Sequence, residues 1–123
     1  CYTSLHRSEG LGLTMAEALL LGKPVIATGY SGNMDFMSDA TAHLVRWTPG
    51  TVTQRGGPYR QGARWAEPDL QHAATLMRAV ANDPEASKKM CERAQRQLLD
   101  QYSPERCGQA MLHRLEHIWS RPT

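Results

Sequence analysis

Long hydrophobic runs are missing from this chain of 123 residues. No apolar stretch approaches the ~20 residues needed to cross a bilayer, and none has the layout of a signal peptide. Cysteine is scarce: Cys1, Cys91 and Cys107 are all there is, and no Cys-x-x-Cys pair occurs. An odd, scattered trio argues against a disulfide framework and for a reduced, cytoplasmic setting. Cys91 and Cys107 fall in helical stretches, where a thiol reads as a core filler. Charge of one sign is lacking too. A net charge of +2, with no basic run interleaved with aromatics, gives nucleic acid no footing. Internal repeats and low-complexity segments are absent, as is the Gly-x-Ser-x-Gly elbow of a serine hydrolase. His113 and His117 stand at i, i+4 in "HRLEH". That order is not His-Glu-x-x-His, and no third ligand is evident, so no metal site is expected.

What is there suits one folded domain, with two-fifths of the residues apolar. The opening "CYTSLHR" is strand-like from its first residue and has no initiator methionine, which predicts a piece of a longer polypeptide. Cys1 to Leu5 reads as a short buried strand. Leu13 to Leu21 reads as a helix with an apolar stripe of Met15, Ala16, Leu19 and Leu20. Gly22 is placed as a left-handed cap and Pro24 stops continuation. "PVIAT" is a continuous β-branched run, the mark of a parallel strand covered on both faces. "GYSGN" follows as a turn, "MDFM" as one helical turn, and "AHLVR" (42–46) as a third, weaker strand. Strand, helix and strand at this spacing imply a right-handed parallel crossover. From Trp47 to Pro68 the chain is rich in Gly, Pro and Arg and shows no period, so a long irregular connection is expected. Three helices complete the chain. The first is capped by Asp69, reaches Ala81, and turns Leu70, Ala73, Ala74, Leu76, Met77 and Val80 inward. The second spans Pro84 to Tyr102. The third starts at Ser103 and Pro104 and carries Met111, Leu112, Leu115, Ile118 and Trp119.

The informative stretch is "SEGLGLTMAE". A glycine turn between strand and helix leaves several backbone N–H groups pointing one way, and the helix dipole adds positive charge there. Phosphate suits such a mouth, although many Gly-x-Gly turns hold nothing. Glu17 has two readings. Thr14-x-x-Glu17 fits a capping box, and a carboxylate also suits paired hydroxyls such as those of a ribose. Glu9, at the carboxyl end of the first strand, is either a solvated turn residue or a hook for a ligand hydroxyl. "GYSGN" faces the same crevice or is a plain turn. Arg55, Arg60 and Arg64 make the long connection basic, either as a solvated loop or toward an anionic substrate.

Taken together, "SLHRSEGLGLTMAEALLLGKPVIATGYSGNMDFM" (Ser4 to Met37) resembles the retaining glycosyltransferases of family 4, which have the GT-B fold. The family's E-x7-E motif falls on Glu9 and Glu17, with Gly10 and Gly12 in their usual places. "RWAEPD" and the helical tail also resemble the end of that family's second domain.

The resemblance implies an α/β fold: the second half of a Rossmann-like domain with about three parallel strands and a helical C-terminal tail. It implies transfer of a hexosyl group from a nucleotide sugar, such as a UDP- or GDP-hexose, with retained anomeric configuration. Glu17 would hold the ribose hydroxyls. Glu9, the catalytic candidate, would bind hydroxyls of the donor hexose. Gly10 belongs to the same donor turn, the amides of Leu11 and Gly12 would lie near the sugar, and those of Leu13 and Thr14 would meet the diphosphate. Preorganised amides would stabilise the leaving group as its charge builds, so neither metal nor cofactor is implied. Many such enzymes work at the membrane face, so a peripheral contact of the whole enzyme is a further implication. The family's basic pair and its N-terminal acceptor domain would lie upstream. The exposed first strand would then invite pairing, and a dimer or swapped assembly is expected. A non-catalytic nucleotide-sugar binding module is the rival reading. A dehydrogenase fits less well, because "EGLGLTMAE" lacks the third glycine of Gly-x-Gly-x-x-Gly. The first prediction is that the purified chain forms no glycosyl product by itself. Mass-spectrometric detection of product from chain, nucleotide sugar and acceptor would refute it.

Overall fold

The computed structural model describes residues 1–53 and 59–120. Its first half is a three-stranded parallel sheet in the order β1-β2-β3, formed by Tyr2–Ser4, Val25–Thr28 and His43–Val45. Tyr2 pairs with Val25 and Ser4 with Ala27, while Ile26 pairs with His43 and Thr28 with Val45. Helix α1, Leu13–Leu20, connects β1 to β2. It ends as the sequence predicts. Gly22 is left-handed at φ 65°, its amide donates to the Leu19 carbonyl, and Lys23 N–H reaches back to the Ala18 carbonyl at 2.9 Å. This is a Schellman closure, and it satisfies carbonyls that the helix end would otherwise leave unpaired.

All four residues of β2 are buried, and their alternation builds a core on each side of the sheet. Val25 and Ala27 join Met15, Leu19, Phe36, Met37, Ala94 and Leu98. Ile26 turns the other way to Val45 and Ala73, with Leu5, Leu76 and Val80 packed alongside. Covering both faces of a parallel sheet explains why its central strand is buried throughout and apolar up to Thr28. Three further helices follow: α2 (Leu70–Asn82) covers the Ile26 face, α3 (Pro84–Tyr102) joins α1 on the Val25 face, and α4 (Pro104–Trp119) packs against α3. Each opens on a side-chain cap. Asp69, Asp83 and Ser103 accept from the amides of His72, Ala86 and Arg106. Asp69 stands outside the core, and the His72 amide and then the Arg46 guanidinium hold its carboxyl below the usual range.

Several expectations need correction. Residues 47–68 do not form an irregular connection. Trp47–Thr51 (β4) and Arg64–Pro68 (β5) pair as an antiparallel hairpin. Pro49 and Gly50 hide the strand period, since both residue types are depleted in strands. Here each fits its position. Pro49 stands opposite Ala66, whose amide points out of the hairpin to the Arg7 carbonyl at 2.8 Å, so that pair needs no proline N–H. Gly50 stands opposite Trp65, and a Cβ there would lie 3.1 Å from the indole nitrogen. Arg7 fastens the hairpin to the sheet, with its guanidinium 4.8 Å from the Trp65 ring and 2.9 Å from Glu67. The "MDFM" turn is instead a short 3-10 turn at Gly32–Asp35.

Leu70 and Met77 are exposed rather than inward, because β2 and β3 offer α2 only Ile26 and Val45 on that face. Leu20 is likewise exposed, at the side of the α1 stripe. Cys91 is a core residue as expected, and burial pushes its thiol up. Cys107 is only half-buried, since α4 buries none of its residues. The stability contrast follows directly. Leu19→Ala empties a fully buried site and is expected to cost about 2–5 kcal/mol. Leu115→Ala, on α4, is expected to change stability by less than about 0.5 kcal/mol. Urea denaturation midpoints of the two variants check both.

Candidate functional site

The site lies where β1 and β2 end, at two loops pressed together backbone to backbone. Ser31 holds the main chain of Glu9 from both sides. Its hydroxyl donates to the Glu9 carbonyl at 2.6 Å and accepts from the Glu9 amide at 3.3 Å. Gly32 N–H donates to the same carbonyl at 3.1 Å. A Cβ on Gly32 would stand 2.0 Å from the Gly10 carbonyl oxygen and 2.9 Å from the Leu11 nitrogen, so only glycine fits. Ser31 has a left-handed φ of 80°. Such a backbone costs about 1–3 kcal/mol for a non-glycine residue. Three hydrogen bonds from adjacent residues offset that strain.

His6 ties the same loops from below. One ring nitrogen, Nε2, lies 2.9 Å from the Tyr30 carbonyl and 3.1 Å from Asn33 Oδ1, and Nδ1 lies 3.1 Å from the Ser4 hydroxyl. A carbonyl only accepts, so Nε2 carries a proton. Asn33 is fully buried and donates through Nδ2 to the Thr28 carbonyl at 3.1 Å. The chain from Ser4 through His6 and Asn33 to Thr28 therefore joins the ends of β1 and β2.

Within this frame the chain turns into α1. Gly12 is the N-cap, left-handed at φ 92°, and gives the helix no side-chain cap. A Cβ there would stand 2.7 Å from Met15 Cε and 3.3 Å from Asn33 Cβ, so conformation and space both demand glycine. The amides of Met15 and Ala16 donate to the Gly12 carbonyl. Among the described residues, no acceptor meets the amides of Leu11, Gly12, Leu13 or Thr14. Gly10 differs from these four, because its amide donates to Glu9 Oε1 at 3.0 Å. Glu9 is half-buried, and among the described residues its second carboxylate oxygen meets no hydrogen-bond partner.

The capping-box reading of Thr14 and Glu17 fails here. Thr14 lies inside α1, and its hydroxyl is 2.8 Å from that of Tyr2. Glu17 is exposed, and its side chain makes no hydrogen bond among the described residues. It stands three and four residues after Thr14 and Leu13, one turn along the same helix face. The loops thus bring together Glu9 and the Gly10–Thr14 turn, with Glu17 on the helix that the turn opens. Arg64 and Arg60 are exposed on the hairpin and its connection, and Arg55 lies outside the described residues. His113 and His117 stay on α4, and no group of three metal-ligating side chains gathers among the described residues.

Sequence reasoning set "GYSGN" at the crevice or in a plain turn, but gave no role to Ser31, Gly32 or Asn33 within it, nor to His6. The two glycines of "GYSGN", Gly29 and Gly32, on either side of Tyr30 and Ser31, were the available signal, because glycines so soon after a strand mark a backbone that must be approached closely.

Parallel strands joined by a glycine turn that opens into a helix define a Rossmann-like α/β domain. The family model described as family 4 glycosyltransferase in conflict systems matches residues 4–111, and the chain belongs to that family. No curated protein matches it. The match includes both loops of the site and the β4–β5 hairpin. Gly32→Ala is expected to destabilise the chain by about 1–3 kcal/mol, as overpacking does. It should also displace the Gly10 and Leu11 amide resonances. Urea denaturation and a 15N–1H correlation spectrum check the two effects.

Proposed function

We propose that this chain is the donor-binding part of the C-terminal domain of a retaining hexosyltransferase. The observation that carries the reading is the run of four unoccupied amides, Leu11 to Thr14, at the start of α1. Unpaired N–H groups at a helix start, reinforced by the helix dipole, favour a phosphate group. Membership of a glycosyltransferase family supports reading that phosphate as part of a nucleotide-sugar donor.

In this reading the Leu13 and Thr14 amides receive the diphosphate, and those of Leu11 and Gly12 border the hexose. Glu9 accepts from hexose hydroxyls. Its bond to the Gly10 amide orients the carboxylate and leaves one oxygen for the sugar. Glu17, one turn along, accepts from both ribose hydroxyls. As the bond from the anomeric carbon to the diphosphate breaks, negative charge collects on the leaving oxygen. The fixed amides stabilise it without reorganising, so the reading requires no metal. The Ser31–Gly32 clasp makes the arrangement rigid, because it holds the Glu9 peptide from both faces. The acceptor and the basic groups that complete the diphosphate site come from the rest of the enzyme, so the piece alone is inactive. A cytoplasmic location accompanies the reading. Among the described residues no helix is long and apolar enough to cross a membrane.

The test is saturation-transfer NMR with UDP, GDP and ADP, repeated on Glu17→Gln. One nucleotide is expected to bind and to shift the Leu13 and Thr14 amides. Glu17→Gln should weaken it about tenfold, the value of a hydrogen bond to a charged group. The 2′-deoxynucleotide should bind the parent chain more weakly and the variant equally. Equal, weak signals from all nucleotides, unchanged by Glu17→Gln, would remove the proposal.

A further inference from the structure

Beside the donor mouth lies an open cleft of about 490 Å3, lined by Tyr30, Trp47, Pro49, Thr51, Arg64 and Trp65. Its residues come from the loop after β2 and from the hairpin. Trp47, Pro49 and Thr51 alternate onto one face of β4, and Arg64 stands opposite Thr51 on β5. The Trp47 indole N–H donates to the Gly29 carbonyl at 2.7 Å, and its ring meets that of Tyr30 edge-on at 4.7 Å. The indole is thereby held in place while 37% of the residue stays open to solvent. Among the described residues no acidic group pairs with the exposed Arg64, whereas Arg7 and Arg46 are paired with Glu67 and Asp69.

A fixed aromatic platform suits a ligand with an apolar C–H face and a polar rim, which describes a sugar ring. An unpaired guanidinium at its margin adds a bidentate site for a carboxylate. The geometry points to a binding subsite for an acidic saccharide, a hexuronate ring, stacked on Trp47 with its carboxylate on Arg64. The cleft also adjoins the proposed donor mouth through the chain itself, since Tyr30 lines it and the next residue, Ser31, holds Glu9. Assigning the bound saccharide to the acceptor rests on the donor reading above. Its binding to the cleft does not.

The experiment uses the three tryptophan indole N–H resonances of the chain, from Trp47, Trp65 and Trp119. Trp119, on α4 and 74% exposed, is the internal control. Methyl β-D-glucuronide is expected to shift the Trp47 signal at millimolar concentration and to leave Trp119 in place. Methyl β-D-glucoside should bind the same site about tenfold more weakly. Arg64→Gln, at an exposed position, should reduce the glucuronide to the glucoside's affinity and leave the glucoside unchanged, with an unaltered urea midpoint. Equal affinities for the two glycosides in the parent chain would overturn the acidic specificity. No Trp47 shift with either, or equal shifts at Trp119, would overturn the subsite. A Trp47 shift by UDP or GDP as large as that by glucuronide would give the cleft to the nucleotide instead. A failed donor site shows separately, as Leu13 and Thr14 amides that no nucleotide moves.

Discussion

The clasp of Ser31 and Gly32 on the main chain of Glu9 is the contact on which the rest of the site depends. It lets two loops at the ends of neighbouring parallel strands approach at backbone distance. Any side chain at position 32 would occupy the place of the Gly10 carbonyl. The closeness has two results. The Glu9 peptide has its donor and acceptor both satisfied, and the turn from Gly10 to Thr14 is carried past the clasp with its own amides unspent. Leu11, Leu13 and Thr14 are exposed, so leaving their amides without protein partners is tolerable, and the helix start stays ready for an anion.

Behind the clasp, polar and apolar packing divide the work. His6 and Asn33 tie the loop bases to the strand ends, and Asn33 does so from a fully buried position. A buried amide of this kind is affordable only because its hydrogen bonds are made. Met15 and Phe36 close around Gly12 from the core side, so the left-handed cap is set by sterics as well as by local conformation. The mouth is therefore joined to the main core through α1, and strain at Ser31 is borne by a structure that over-determines it.

The hairpin is a separate addition to this plan. It follows β3, folds back along Arg7, and brings two aromatic residues and an arginine without an acidic partner among the described residues to the margin of the site. The exposed ion pair between Arg7 and Glu67 contributes little to stability by itself, about 0.2–1 kcal/mol. The main-chain bond from Ala66 to Arg7 and the arginine over the Trp65 ring fix its position more firmly. Helix α4, in contrast, keeps Met111, Leu112 and Trp119 in solvent, and its amphipathic pattern by itself says nothing of what it packs against.

Local chemistry in the sequence determined most of the fold. The apolar run of β2, the glycine after α1, and the Asp69, Asp83 and Ser103 caps act over three to five residues, and each element forms where its pattern stands. The mouth was legible for the same reason, since a glycine turn before a helix leaves amides unpaired whatever surrounds it. The tertiary structure decided what depends on residues distant in the chain. It chose Gly12 over Thr14 as the cap, because Thr14 found Tyr2 and Gly12 alone fits against Met15 and Asn33. It made strands of residues around Pro49 and Gly50, because Ala66 and Trp65 stood opposite them. It also turned a serine in a plain-looking loop into the clasp on Glu9. Spacing along the chain does not record how closely two backbones, 22 residues apart at Glu9 and Ser31, come to lie.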